Sequence, residues 1–295
     1  MGAGGSDPGR EGDQTTIDTS TSPDTGTGKD TSAAERHGWG KPNRVDDFSD
    51  GTEQWNVYDG PGHAGQGTRS PSAVSIQDGI LTITGDPSGT TAGMAWNSGQ
   101  KYGRWEARVR VPAVDSSYSP VLLLWPDAEN FPAGGEIDFL ELLNPIGLTA
   151  NIFIHYGADN LQINGQVEID TTEWHNWALE WTPEAITAYV DGEEWYRTTD
   201  TSVFPTGPMH LAIQLDWFPQ GGASQGSAIQ TDWVKQYPLD GSINSEGGKG
   251  FHADPSTESG SAVAGAASVG SGDSAHGAQT TSVREALWRM FFWWW

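Results

Sequence analysis

The chain has 295 residues and no cysteine, and its 15 basic against 39 acidic residues give a formal net charge of −24. That balance argues against nucleic acid or an anionic membrane as a partner, because phosphate contacts need clustered Lys and Arg, whereas a neutral polymer is not repelled. Without thiols there is no disulfide and no thiolate metal site, so stability must come from packing.

Hydrophobic content is only 35%, and the deficit lies at the ends. Residues 1–41 and 242–281 are rich in Gly, Ser, Thr, Ala and Asp with almost no large aliphatics, so the first reads as a disordered segment and the second as a linker. Between them, residues 42–241 make a body within the size of one all-β sandwich. Lysine is sparse on this acidic chain, a pattern that suits solubility in concentrated salt. Met1 to Lys41 lacks the charged-then-apolar order of a signal peptide, and no stretch is long and apolar enough to span a bilayer.

In chain order, the first expected strand of the body is 79–84. Residues 103–111 then alternate strictly, with Trp105, Ala107, Val109 and Val111 on one face and Arg104, Glu106, Arg108 and Arg110 on the other, as in a half-buried strand with a charged outer side. Strands are also expected at 121–125, 151–156, 177–182, 186–190, 195–198, 209–216 and 232–237, and Asp191-Gly192 reads as a hairpin turn. Many short strands between turn residues, with no helical period in the body, predict an antiparallel β-sandwich.

The segment from Gly134 to Leu143 sets Glu136, Asp138 and Glu141 among Ile137, Phe139, Leu140, Leu142 and Leu143. Strand alternation puts Glu136 and Asp138 on one face and Glu141 on the other. One residue bulged out at Phe139 or Leu140 brings all three acids to one surface. Crowded carboxylates repel, so their environment must hold one ionised while raising the proton affinity of another, which supplies a nucleophile and an acid. A close pair favours retaining glycoside hydrolysis over the inverting kind. A calcium site or a solvated acidic edge is the bland alternative.

The strand after it carries Asn151, Phe153 and His155 on one face, and hairpin pairing would set His155 beside the acids. Gln214 and Asp216 share a face on a later strand and are candidates for sugar hydroxyls. The chain has 15 Trp; most belong to the core, but Trp125 and Trp217, beside loops, are the expected platforms for apolar sugar faces.

The run Glu136-Ile137-Asp138-Phe139-Leu140-Glu141 resembles the Glu-x-Asp-x-x-Glu signature of glycoside hydrolase family 16, in the bulged form of its laminarinase-like members. Tyr102 to Pro112, Trp174 to Pro183 with Tyr189-Val190-Asp191-Gly192 after it, and Thr231 to Tyr237 resemble further strands of the family, in matching order over about residues 43 to 240. The resemblance implies a β-jelly roll with a concave substrate cleft and a retaining endo-acting hydrolase of a β-linked polysaccharide. Glu136 would be the nucleophile, Asp138 its electrostatic partner and Glu141 the general acid and base. It also implies a secreted monomer with no required cofactor and no catalytic metal. A structural calcium site, as many proteins resembling this one have, would draw on Asp46, Asp47 and Asp232.

Leu123 stands where such proteins often carry Trp, and 210–217 departs from their common Asn-Leu-Ala pattern. Laminarin-type β-1,3-glucan is the expected substrate. A β-galactan such as agar or carrageenan, transglycosylation, and a non-catalytic carbohydrate-binding sandwich are the alternatives. The last stretch, 282–295, opens as a capping box at Ser282 to Glu285 and runs into aromatics, reading as an interfacial anchor or as an artefact of an altered reading frame.

Overall fold

The computed structural model describes residues 31–96, 98–143, 147–219 and 223–239. The expected linker, the aromatic tail and the first thirty residues lie outside the described residues. Two antiparallel sheets make the body. One orders the strands Leu161–Glu168, Thr149–Tyr156, Glu136–Glu141, Tyr118–Pro126, Met209–Trp217, Gly93–Trp96 and Trp55–Val57. The other orders Glu193–Thr198, Ile186–Val190, His175–Trp181, Gly103–Ala113, Ser227–Tyr237, Ile80–Gly85 and Val74–Gln77, with Arg44–Asp46 paired to Ser227–Tyr237. A small third sheet joins Gly60–Pro61, Thr68–Arg69 and Thr90–Thr91.

Period-two alternation explains the layers. Trp105, Ala107, Val109 and Val111 are all buried, and they meet Ile137, Phe139, Leu140, Leu142, Ile152 and Ile154 from the seven-stranded sheet in one core. Trp96, Trp177 and Trp181 are also fully buried there, which leaves the opposite face of each sheet free for other work. Asp191 (φ 49°) and Gly192 (φ 76°) form a two-residue turn with both angles positive, whose twist matches a hairpin. Asp191 locks it further, accepting from the Asn176 backbone N–H at 2.9 Å and lying 2.7 Å from His175 Nδ1.

The expected disorder up to residue 41 does not hold for its last part. Ala33–His37 is a short helix capped by Ser32, and it seats on the outer face of the eight-stranded sheet. Ala33 N–H donates to Glu106 Oε1 at 2.5 Å, so Glu106, expected on a charged exposed row, is instead fully covered (0%). Burial raises its carboxyl above the ordinary range, opposed by bonds from Ala33, Ser32 and Ala34. Trp39 packs edge-on against Tyr189 and Tyr237 at 5.8 and 5.6 Å, closing a satellite cluster with Ala33, Ala34 and Ala178. The rest of the row behaves as expected on an outer face. Arg104 pairs with Glu180 at 2.7 Å, Arg108 with Asp232 at 3.4 Å, and Arg110 bonds Gln230 at 2.8 Å and stacks on Trp174. Among the described residues no helix is long and apolar enough to cross a membrane.

Truncating Trp39 would open this cluster, so Trp39→Ala is expected to lose roughly 3 kcal/mol. Urea unfolding checks it, and a midpoint equal to wild type would refute a stabilising role for the N-terminal segment.

Candidate active site

The acid strand is entered through Gly135, whose φ of 84° is a left-handed conformation, and a Cβ there would come within 3.1 Å of the His155 carbonyl oxygen. Against the neighbouring Tyr118–Pro126 strand, Glu141 lies opposite Val121, Leu140 opposite Leu122, and Asp138 already opposite Leu123. Phe139 is therefore the extra residue. On the other side Asp138 faces Phe153 and Glu141 faces Asn151, so two residues span the place of one. Phe139 and Leu140 both turn into the core, and Glu141 returns to the side of Asp138. Val121 and Leu123, the partners of Glu141 and Asp138, share the outward face in a cluster separate from the core.

Glu136 and Asp138 are 7% and 4% exposed although they point away from the core, so they sit in a recess, with Glu141 half-buried beside them. Ser119 Oγ donates to Glu141 Oε1 at 3.2 Å, and Asn151 Nδ2 donates to the Glu141 carbonyl at 3.1 Å. His155 is paired with Glu136 in the register, and its Nε2 faces Asp138 Oδ2 at 3.5 Å. Its Nδ1 lies 2.9 Å from Asn160 Oδ1, which can only accept, so that nitrogen carries a proton. The other ring nitrogen, Nε2, is the one turned to the Asp138 carboxyl.

Burial raises all three carboxyls above their ordinary range. Asp138, Glu141 and Asp216 push Glu136 further, Asp138 and Asp216 push Glu141 further, and His155 opposes the rise at Asp138. The trio therefore holds protons at a pH where isolated carboxyls would have lost them. Glu136, Asp138 and His155 are also a group of three possible ligands within 4.8 Å of one another among the described residues. Asp46, Asp47 and Asp232 are engaged elsewhere. Asp46 accepts from Phe48 N–H and Trp55 Nε1, Asp47 closes a turn with Ser49, and Asp232 pairs with Arg108.

Across the Tyr118–Pro126 strand lie Gln214, opposite Val121, and Asp216, opposite Ser119. Both share the outward face with the acids. Neither expected indole platform lies open beside them. Trp125 is on that face but only 1% exposed, stacked under Phe131 at 4.8 Å and bonded through Nε1 to Glu129 at 2.8 Å. Trp217 follows Asp216 and so turns to the other side, opposite Tyr118, where it packs against that ring and the backbone of Gly67 and Gly89. Sequence reasoning passed over three residues here. Phe131, partly exposed, is the outermost ring over Trp125 and also approaches His155 at 6.0 Å; its place just before the acid strand was a usable signal. Arg69 reaches Asp216 from the small sheet and His63 from the short turn His63–Gly65 between two of its strands, and nothing in their local sequence marks them.

An antiparallel sandwich with three acids gathered by a bulge on one outward face is the architecture of a polysaccharide-cleaving hydrolase, and known proteins agree. The profile described as Glycosyl hydrolases family 16 matches residues 63–235. Endo-1,3-1,4-beta-glycanase ExsH of Rhizobium meliloti (strain 1021) is 28% identical over 214 residues, 65% of this chain and 44% of that protein. A beta-glucanase of Rhodothermus marinus is 33% identical over 167 residues, 46% of this chain and 57% of that protein. The chain thus spans about half the length of these relatives. Among solved structures, the catalytic domain of an endo-1,3-beta-glucanase (laminarinase) from Thermotoga petrophila RKU-1 superposes with a TM-score of 0.59 at 20% identity, covering 67% of this chain and 97% of that one. LamAcat from Zobellia galactanivorans gives a TM-score of 0.60 at 18% identity, covering 68% and 99%. The chain belongs to glycoside hydrolase family 16.

The raised Glu136 carboxyl has a consequence for stability. The folded state keeps its proton more tightly than the unfolded chain does, so this stability is full at acidic pH and is lost as pH climbs through the raised value. Glu136→Gln, neutral throughout, is expected to match wild type near pH 4 and to exceed it near pH 8, by an amount on the order of 1 kcal/mol. Melting curves at the two pH values test this; a variant less stable than wild type at pH 8 contradicts it.

Proposed function

We propose that this chain is a retaining endo-β-glucan hydrolase acting outside the cell, with laminarin-type β-1,3-glucan as its substrate. The observation that carries the reading is the bulge at Phe139, which turns Glu141 onto the face of Glu136 and Asp138. The names of the relatives support the substrate class, since they are β-glucanases and a laminarinase. The carbohydrate-binding alternative has no use for three recessed acids that repel one another.

In the first step a Glu136 carboxylate oxygen attacks the anomeric carbon while Glu141 gives its proton to the glycosidic oxygen. The glycosidic bond breaks, the leaving saccharide departs as an alcohol, and an ester joins Glu136 to the sugar. In the second step Glu141, now ionised, takes a proton from water, whose oxygen displaces Glu136 from the anomeric carbon. Two inversions give net retention. Burial and neighbouring negative charge raise the proton affinity of both Glu136 and Glu141, and the reactive form is the one with Glu136 ionised and Glu141 protonated, its Oε1 held by Ser119. Asp138, its proton affinity raised by burial and its carboxyl held beside His155, orients Glu136 and limits the charge beside it. No cofactor is needed.

Reducing-end release from laminarin, mixed-linkage glucan, agarose and carrageenan is expected to be fastest on laminarin and to fall at least about 10³-fold in Glu136→Gln. Proton NMR of the first product should give the β-anomer. An α-anomer would sink the double displacement, equal activity in the variant would reject the nucleophile, and preference for agarose or carrageenan would move the substrate to a β-galactan.

A further inference from the structure

Beside the acids lies a polar constellation that the two-step chemistry does not use. Arg69 is fully buried (0%) and reaches in from the small sheet. Its Nη1 donates to the carbonyls of Ala92 and Leu215, both at 3.0 Å, and its Nη2 donates to Gln214 Oε1 at 2.7 Å and to the Asp216 carboxylate. A guanidinium has donors only, so the oxygen of the Gln214 amide must face it. The amide nitrogen, with its two hydrogens, is thereby turned away from Arg69. The second Asp216 oxygen lies 3.5 Å from His63 Nδ1. Gln214, Val121 and Glu141 form one row across three strands, and Asp216 sits opposite Ser119, which holds Glu141. Two strand spacings set Gln214 roughly 9 to 10 Å from Glu141 at the backbone. That is beyond the reacting carbon and within range of an adjoining sugar. On the far side, Gly93 faces Gln214, and a Cβ there would come within 3.1 Å of Gln214 Cγ, so the glycine leaves the amide its room.

We propose that Arg69 is a positioning residue that fixes Gln214 Nε2–H and the Asp216 carboxylate as a donor and acceptor pair for two hydroxyls of a glucan ring next to the cleaved bond. The inference rests on the glucan-hydrolase reading and adds to it a determinant of substrate choice. A sugar hydroxyl both donates and accepts, so an adjacent pair with the right stereochemistry satisfies both groups. An epimer leaves one recessed polar group unpaired, and that penalty, more than any attraction, discriminates. The fork of Arg69 holds both partners at once, which a lysine's single ammonium does not reproduce.

Gln214→Glu is the deciding variant, because it keeps an oxygen for Arg69 while replacing the N–H pair with a second carboxyl oxygen. Against laminarin and mixed-linkage oligosaccharides, each at the variant's own pH optimum, it is expected to raise KM about tenfold, a larger change than in kcat. A purely structural role for the constellation would leave KM alone. Arg69→Lys should raise KM as well and lower Tm, since it also strips buried carbonyls of their donor. An unchanged KM in Gln214→Glu, with wild type cleaving glucan, overturns this inference and leaves the proposed function standing. A wild type that cleaves no β-glucan overturns both.

Discussion

Like charges resist being brought together out of water, and the site exists because the backbone leaves them no alternative. Ile137, Phe139, Leu140 and Leu142 are anchored in the inter-sheet core, and the alternation they impose would send Glu141 in with them but for one inserted residue. Burial of the two consecutive side chains Phe139 and Leu140 makes the outward turn of Glu141 obligatory. The hydrophobic effect on one face thus holds electrostatic repulsion on the other, and the proton affinity of the acids is raised first by their burial and then by that repulsion. Supporting groups on neighbouring strands distribute what remains: Ser119 and Asn151 at Glu141, His155 at Asp138, and Arg69 at Asp216.

Much of this was legible in the residues. The strict alternation of 103–111, the Asp191-Gly192 turn and the need for a bulge between Asp138 and Glu141 each follow from period-two geometry, and the structure carries all three. Strands such as Leu161–Glu168 and Gly93–Trp96 escaped notice for opposite reasons, the first being a largely polar edge and the second a four-residue segment buried on both sides. The misplacement of Trp217 was avoidable, since Gln214 and Asp216 facing out oblige Trp217 to face in. Trp125 was on the right face, but Phe131 folds over it from a loop, and no periodicity reports such a lid. The order at 31–41 was hidden because small and polar residues look the same whether solvated or docked. Its one strong cue was Trp39, an indole in a stretch otherwise without large apolar groups.

Arg69 illustrates a kind of information that sequence patterns do not hold. It belongs to a two-residue strand of the small sheet, yet its partners Ala92, Gln214, Leu215 and Asp216 are 23 to 147 positions away. Such a residue is assigned by its donors alone, through which acceptors they saturate and which way the remaining groups must then point.

The N-terminal segment changes what counts as the indivisible unit of this fold. The family profile matches from residue 63, whereas the described chain packs from Thr31 onward, with Phe48 and Trp55 in the main core and Trp39 sealing its reverse side. A gene fragment trimmed to residues 63–235 would therefore carry every acid of the site while leaving Ala178 and Tyr189 uncovered. Recombination between homologues at that boundary would transplant the chemistry without its backing, and the hybrids that survive would be those bringing their own cover for Glu106.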